Sequence, residues 1–186
     1  MNTQMRSVIE FPELAAKTVE FLTKHGENFS LSASEATQIV ILMRLIHYTA
    51  GATLFSVGDK NSSYMLLVLE GNVCVDTGMV KHGNKVDISV LGPSALIGDL
   101  ALIDGAPRSA TCTAATAVIA AGLSAKGFER LMETHPLVAA KLAIQIARTA
   151  SERLRSLSDQ LQMYDQMTAT MHQELDQLRL AAKGKM

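Results

Sequence analysis

The sequence predicts an α+β fold in which an antiparallel β-barrel or sandwich stands between N-terminal helices and one long C-terminal helix. Apolar residues recur at helical spacing before residue 47, and short runs of strand-forming residues alternate with turns from 48 to 123. Helical spacing returns from 124 to the end. The 186 residues suffice for one compact domain with an appendage, but are few for two globular domains.

Two helices are predicted before the strands. Pro12 suits the first turn of a helix that Gly26 can end. In the second helix, Ser32 and Glu35 have the spacing of a capping box, and an apolar face follows them. The residues of that face are Ala36, Ile39, Val40 and Met43.

The middle of the chain has the turn pattern of short antiparallel strands. The predicted turns lie at Gly51, Gly58-Asp59, Glu70-Gly71, Gly78, Gly83-Asn84 and Gly92-Pro93. Val86, Ile88 and Val90 alternate with polar residues, which predicts a half-buried strand. Two more strands are predicted over residues 109–123, and Ser124 can then cap a helix.

No Gly or Pro interrupts residues 137–183, which predicts one long helix. Its apolar positions alternate in steps of three and four, a pattern that we call the heptad seam. The seam consists of Ala140, Ala143, Ala147, Ala150, Leu154, Leu157, Leu161, Tyr164, Thr168, Met171, Leu175 and Leu178. At roughly 1.5 Å per residue the seam is longer than one small domain can cover. We therefore predict a homodimer through a C-terminal coiled coil; the alternative is a helix packed on its own domain.

Residues 98–111, GDLALIDGAPRSAT, contain groups that can hold a phosphodiester next to a ribose. Gly98 allows close approach of the backbone, and a short helical turn predicted from Asp99 offers N–H groups to an anion. The guanidinium of Arg108 can bind a phosphate bidentately, and Ser109 adds a hydroxyl. Asp99 can accept a hydrogen bond from a ribose hydroxyl. Each signal is weak alone, because an Arg after Pro is usually a solvated loop residue.

The order of residues in this segment resembles the phosphate-binding cassette of the cyclic nucleotide-binding domain family, so we call residues 98–111 the cassette. Residues 55–75 are similar to paired strands of that family, and residues 123–148 to the hinge and dimer helices of bacterial catabolite activators. The resemblance covers roughly residues 32–155. It implies a jelly-roll-like β-roll flanked by helices, with a ligand that links the cassette to the C-terminal helix.

The resemblance also implies a ligand set and three segments. The implied ligand-binding residues are Gly98, Asp99, Leu100, Arg108, Ser109, Ala110 and Arg153. The implied segments are an N-terminal helical extension (1–30), a cyclic nucleotide-binding β-roll domain (31–135) and a long coiled-coil helix (136–186). Arg153 aligns near the family's purine contact; the alternative is a solvated charge beside the seam. Asp99 departs from the family, whose usual residue there is Glu.

The predicted function is a regulatory sensor that binds a cyclic mononucleotide, with cAMP favoured over cGMP, and signals through its dimer helices to a protein partner. One alternative is a structural dimerisation scaffold with a degenerate pocket, which the short Asp99 leaves open. Another is a transcription regulator without its own DNA-binding domain, since heptads continue where a helix-turn-helix would follow. The net charge of -1 and the scattered Lys and Arg residues argue against direct DNA or membrane binding.

No catalytic site, cofactor or metal site is predicted. The five His residues fall in separate predicted elements without a nucleophile or base beside them. Cys74 and Cys112 have no Cys or His at metal-ligand spacing, which favours buried reduced thiols. The first residues lack an apolar run of signal-peptide length, so we expect a cytoplasmic location.

Overall fold

The protein is described by a computed structural model that covers residues 6–24, 30–60, 64–76, 80–81, 84–85 and 88–183. Its α-helices are α1 Pro12–Lys24, α2 Ala33–Leu42, α3 Asp99–Asp104, α4 Ala125–Thr134 and α5 Pro136–Lys183. Its strands are β1 Arg44–Tyr48, β2 Thr53–Phe55, β3 Tyr64–Glu70, β4 Val73–Asp76, β5 Val80–Lys81, β6 Asn84–Lys85, β7 Ile88–Leu91, β8 Leu96–Ile97, β9 Thr111–Ala114 and β10 Val118–Ser124. The chain divides into two compact units, Met1–Ile146 and Ala147–Met186.

The strands form two four-stranded antiparallel sheets, in the orders β1-β10-β3-β8 and β2-β9-β4-β7, and β5 pairs with β6. The predicted α+β class, with antiparallel sheets between N-terminal helices and a long C-terminal helix, is confirmed. At the predicted turn between β3 and β4, Gly71 has a φ of +83° and a Cβ there would collide with the carbonyl of Ala117. Only glycine therefore fits this turn without strain. The predicted positions Gly26, Gly78, Gly83, Val86 and Asp87 lie outside the described residues.

The core has two layers, which share the sheet that contains β3. Met65, Leu67 and Leu69 of β3 pack in a cluster with residues of α1, α2, α4 and the start of α5. Leu66 and Val68, on the opposite face of the strand, pack in a second cluster with residues of the other sheet. Because both faces of β3 are covered, its burial is continuous where a half-buried strand would alternate.

The N-terminal helices have the ends that the sequence predicts. α1 begins at Pro12, and the Ser32 side chain accepts a hydrogen bond from the N–H of Glu35, whose carboxylate accepts one from the N–H of Ser32. The capping box is therefore confirmed. α1 packs within its own chain, where Leu22 is fully buried and Lys17 forms an ion pair of 3.2 Å with Glu70.

The C-terminal helices also begin where predicted. The Ser124 hydroxyl accepts a hydrogen bond of 3.1 Å from the N–H of Gly127 and so caps α4. His135 has non-helical backbone angles, and α5 begins at Pro136. Two side chains connect α5 to the N-terminal helices: Lys141 forms an ion pair with Glu35 at 2.7 Å, and Gln145 donates to the carbonyl of Leu22 at 3.3 Å.

Neither cysteine forms a disulfide, and Cys112 is buried whereas Cys74 is only half-buried. Within the described residues, no helix combines the length and apolar character needed to cross a membrane. In the same part of the chain, His, Cys, Asp and Glu side chains do not gather in groups of three or more that could hold a metal ion.

Candidate functional site

The cassette connects β8 to β9 through the short helix α3. Gly98 is the N-cap of α3 and has a φ of +68°. A Cβ at this position would collide with Nη1 of Arg108. Two features therefore require glycine at position 98: its left-handed backbone, and the Arg108 side chain that occupies the space of a Cβ.

Arg108 lies inside the first unit, with 3% of its surface exposed. Its Nη1 donates to the carbonyl of Gly98 at 2.8 Å, and its Nη2 donates to the carbonyl of Tyr64 at 2.5 Å. The guanidinium carbon lies 4.2 Å from the ring centroid of Phe55 and 5.2 Å from that of Tyr64. Both distances are within the range of cation–π attraction. Arg108 is therefore not the solvated loop residue that an Arg after Pro usually is.

The backbone of Arg108 is held by the turn of residues 56–59, which follows β2. The N–H of Gly58 donates to the carbonyl of Arg108 at 2.8 Å, and the N–H of Arg108 donates to the carbonyl of Asp59 at 3.0 Å. Within the turn, the Asp59 carboxylate accepts a hydrogen bond of 2.8 Å from the N–H of Ser56. Both the main chain and the side chain of the arginine are thus fixed by residues far away in sequence.

The electrostatics of the site follow from the burial of this cation. Burial lowers the pKa of Arg108 from its ordinary value, and the neighbouring groups of Tyr64, Cys112, Asp59 and Asp99 act in the opposite direction. Arginine remains protonated in proteins. The cassette therefore contains a positive charge that is largely removed from water, where it interacts more strongly with an anion than an exposed charge would.

The other cassette residues that the resemblance assigns to the ligand lie in different surroundings. Asp99 is 1% exposed and Ala110 is 9% exposed, so both are buried. Leu100 is 41% exposed, and Ser109 is exposed beside the buried Arg108. The cassette thus presents Leu100 and Ser109 to solvent, while its two charged ligand candidates are turned inward.

Arg153 lies outside the cassette. It belongs to the second unit, Ala147–Met186, and its side chain is exposed on α5. Its contact with a purine base stays a prediction from the resemblance.

The sequence patterns did not indicate Phe55 or Tyr64 as site residues. Their rings meet at Arg108 although both are more than forty positions away in the chain. One sequence signal is available: the chain has only 5 Phe and 3 Tyr, and two of these aromatics bracket the turn at Gly58-Asp59. That placement indicates a paired role, but it does not reveal the arginine.

Known proteins resemble this chain in sequence and in fold. The family described as a cyclic nucleotide-binding domain matches residues 45–135. A cyclic nucleotide-gated potassium channel of Mesorhizobium japonicum is 37% identical over 123 residues, which are 66% of this chain and 31% of the channel. A cAMP-dependent protein kinase regulatory subunit of Colletotrichum orbiculare is 34% identical over 106 residues, 55% of this chain and 25% of the subunit. A cyclic nucleotide-binding domain from Methylobacillus flagellatus has the same fold, with a TM-score of 0.71 at 23% identity over 84% of this chain and 85% of that one.

The two sheets and the cassette with its buried arginine define a β-roll of the nucleotide-binding class. The chain belongs to the cyclic nucleotide-binding domain family, through residues 45–135. The three relatives are a channel, a kinase regulatory subunit and a nucleotide-binding domain, and the matched family is one of binding domains. The chain spans less than a third of the length of either the channel or the kinase subunit, so their complete activities do not transfer to it directly.

Proposed function

We propose that this protein binds a cyclic mononucleotide, cAMP in preference to cGMP, and acts in the cytoplasm as a regulatory homodimer that signals to a protein partner. Residues 31–135 form the nucleotide-binding domain in this proposal, and 136–186 form the dimerisation helix. The observation that carries it is the desolvated cation of Arg108 within a cassette of this family. A catalytic role is not part of the proposal.

The chemistry of Arg108 suits a cyclic phosphodiester. A planar guanidinium can donate two parallel hydrogen bonds to two oxygens of one phosphate. Gly98 and Tyr64 accept from its two terminal nitrogens, which defines the plane of the guanidinium. A cation with a fixed plane loses less conformational entropy on binding than a flexible one.

The preference for cAMP is supported by a relative. The related kinase regulatory subunit is cAMP-dependent by name. In this family a Thr after the cassette arginine is associated with guanine; Ser109 has that position here and also carries a hydroxyl, so it does not decide between the two bases. We therefore favour cAMP, and expect cGMP to bind more weakly.

The homodimer is supported by the two faces of α5. Val138, Leu142 and Ile146 are buried on the core of the first unit. The heptad seam lies on another face, roughly 130° around the helix at 3.6 residues per turn. Its Ala140 is exposed and its Ala143 only half-buried, although both lie beside the buried residues in sequence. The core therefore covers Ala143 only in part and leaves Ala140 uncovered, and we propose that a second copy of the chain covers the seam.

A scaffold with a degenerate pocket is the second candidate, because the Arg108 side chain already has partners within the fold. Its charge is compensated by two carbonyls and two aromatic faces, so the fold does not require a ligand to satisfy it. Asp99, one methylene shorter than the family's Glu, adds to this possibility. Nucleotide binding distinguishes the two candidates.

The decisive experiment is a calorimetric titration of the purified protein with cAMP, cGMP and cyclic dinucleotides. We expect cAMP to bind, and Arg108→Ala to weaken binding by about 2 to 5 kcal/mol because a desolvated charge pair is lost. Arg130→Ala, which removes an exposed arginine of α4, is the matched control and should leave affinity within twofold. Absence of binding by the unmodified protein would establish the scaffold instead.

A further inference from the structure

We infer that Phe55 and Tyr64 are positioning residues, which form an aromatic cradle that orients the guanidinium of Arg108 for a phosphate. This inference rests on the proposed nucleotide binding, and it extends the site beyond the cassette to β2 and β3. The cradle consists of the Phe55 ring and the Tyr64 ring, 4.2 Å and 5.2 Å from the guanidinium carbon.

The contacts of the two rings indicate that they orient the Arg108 guanidinium and do not only fill space beside it. A cation near the face of an aromatic ring is attracted by the ring quadrupole, and the attraction is stronger when water is excluded. Phe55 is 5% exposed and Arg108 is 3% exposed, so their contact is largely shielded from water. The Tyr64 main chain adds the carbonyl that accepts from Nη2, so one residue supplies both a ring and a hydrogen bond.

The ring of Tyr64 is itself held by a hydrogen bond. Its hydroxyl donates to the carbonyl of Leu54 at 3.3 Å, which joins β3 to the residue before Phe55. Burial raises the pKa of Tyr48, and the neighbouring Tyr64 acts in the same direction, so the two tyrosines lie close together. The Tyr64 ring of the cradle is therefore held by a residue outside the cassette.

The turn after β2 places the cradle relative to the arginine backbone. The N–H of Val57 donates to the hydroxyl of Thr111 at 3.1 Å, and Gly58 and Asp59 pair with the main chain of Arg108. Phe55 directly precedes this turn, so its ring and the arginine backbone are set by the same few residues. The Arg108 backbone is held by main-chain hydrogen bonds that do not involve the Phe55 ring. A change of that ring should therefore alter the orientation of the guanidinium and leave the Arg108 backbone in place.

A graded change of the Phe55 ring tests the cradle. Progressive fluorination of phenylalanine at position 55 weakens the ring quadrupole at nearly constant shape. We expect the dissociation constant for cAMP to rise stepwise, by about three- to tenfold between unmodified and trifluorinated rings. The same series at Phe128, a buried phenylalanine in the other core cluster, should change affinity by less than twofold. A flat series at position 55 in a protein that binds cAMP overturns the inference.

A second measurement does not depend on the nucleotide. The Nε–H resonance of Arg108 in the unliganded protein should carry a ring-current shift that Phe55→Leu removes and Phe128→Leu retains. If the Nε–H resonance of Arg108 has the same chemical shift in Phe55→Leu as in the unmodified protein, the inference of an aromatic cradle is wrong. If the unmodified protein binds no cyclic nucleotide, the proposed function fails, and this resonance still decides whether the rings hold the arginine.

Discussion

The first three turns of α5 and its later turns differ in what covers their apolar residues. In the first part, Val138, Leu142 and Ile146 are buried in the helical core. In the later part, Leu154, Leu157 and Leu161 are 65%, 54% and 64% exposed. The same helix therefore presents one apolar stripe to its own domain and a second stripe to solvent.

The difference separates two roles that one amphipathic pattern can serve. A stripe matched to the domain core stabilises the fold of a single chain through apolar burial. A stripe that continues as heptads over many turns is typical of association between helices. Mutations on the two stripes should therefore have different consequences, on folding for one and on assembly for the other.

The largest expected effect is the loss of the dimer when charged residues replace leucines of the heptad seam. Leu157→Asp and Leu161→Asp together place like charges inside the proposed contact, where they are desolvated and repel. Sedimentation should then show monomers, while circular dichroism should show folded β-sheets. Ser156→Asp with Gln162→Asp adds the same charge at exposed positions of α5 off the seam, and this control should remain dimeric. A seam variant that stays fully dimeric at micromolar concentration places the interface elsewhere.

A smaller effect is expected on the core-facing stripe. Leu142 is fully buried, and Leu142→Ala should lower the free energy of unfolding by about 2 to 5 kcal/mol through lost burial and a cavity. The matched variant Leu154→Ala removes the same atoms from the exposed stripe. It should change the free energy of unfolding by less than about 0.5 kcal/mol. Denaturant unfolding in the Leu157→Asp and Leu161→Asp background removes the contribution of association. Equal losses at both positions would refute the distinction between the stripes.

The smallest effect concerns the ion pair that ties the first turns of α5 to α2. Hydrogen bonds from Lys141 and from the N–H of Ser32 lower the pKa of Glu35 from 4.5 to about 2. Because the folded-state pKa is depressed, the stabilisation is present above about pH 4.5 and is lost as the pH falls towards 2.

Glu35→Gln should therefore lower the melting temperature at pH 7, and the difference from the unmodified protein should vanish near pH 2. Glu129→Gln, at an exposed position of α4, serves as the control and should show no such pH-dependent difference. A Glu35→Gln difference that stays constant from pH 7 to pH 2 would mean that the side chain acts through packing and not through its charge.

The sequence by itself determined the features that depend on neighbouring residues. Pro12, the Ser32–Glu35 capping box and the Ser124 cap indicated helix ends that the structure has, because capping hydrogen bonds join residues three or four apart. The long helix followed in the same way from uninterrupted heptads. The cassette could also be located, since its order of residues is compact and specific to one family.

The tertiary structure alone decided where Arg108 points and which stripe of α5 the domain covers. The rings of Phe55 and Tyr64 reach Arg108 only because β2 pairs with β9 and because β3 and β8 are neighbours in the other sheet. Contacts of this kind depend on strand register and on the path of turns, which local propensity does not fix. The physical reason is the same for α5: its pattern contains two apolar stripes, and only the shape of the core selects the one that is buried.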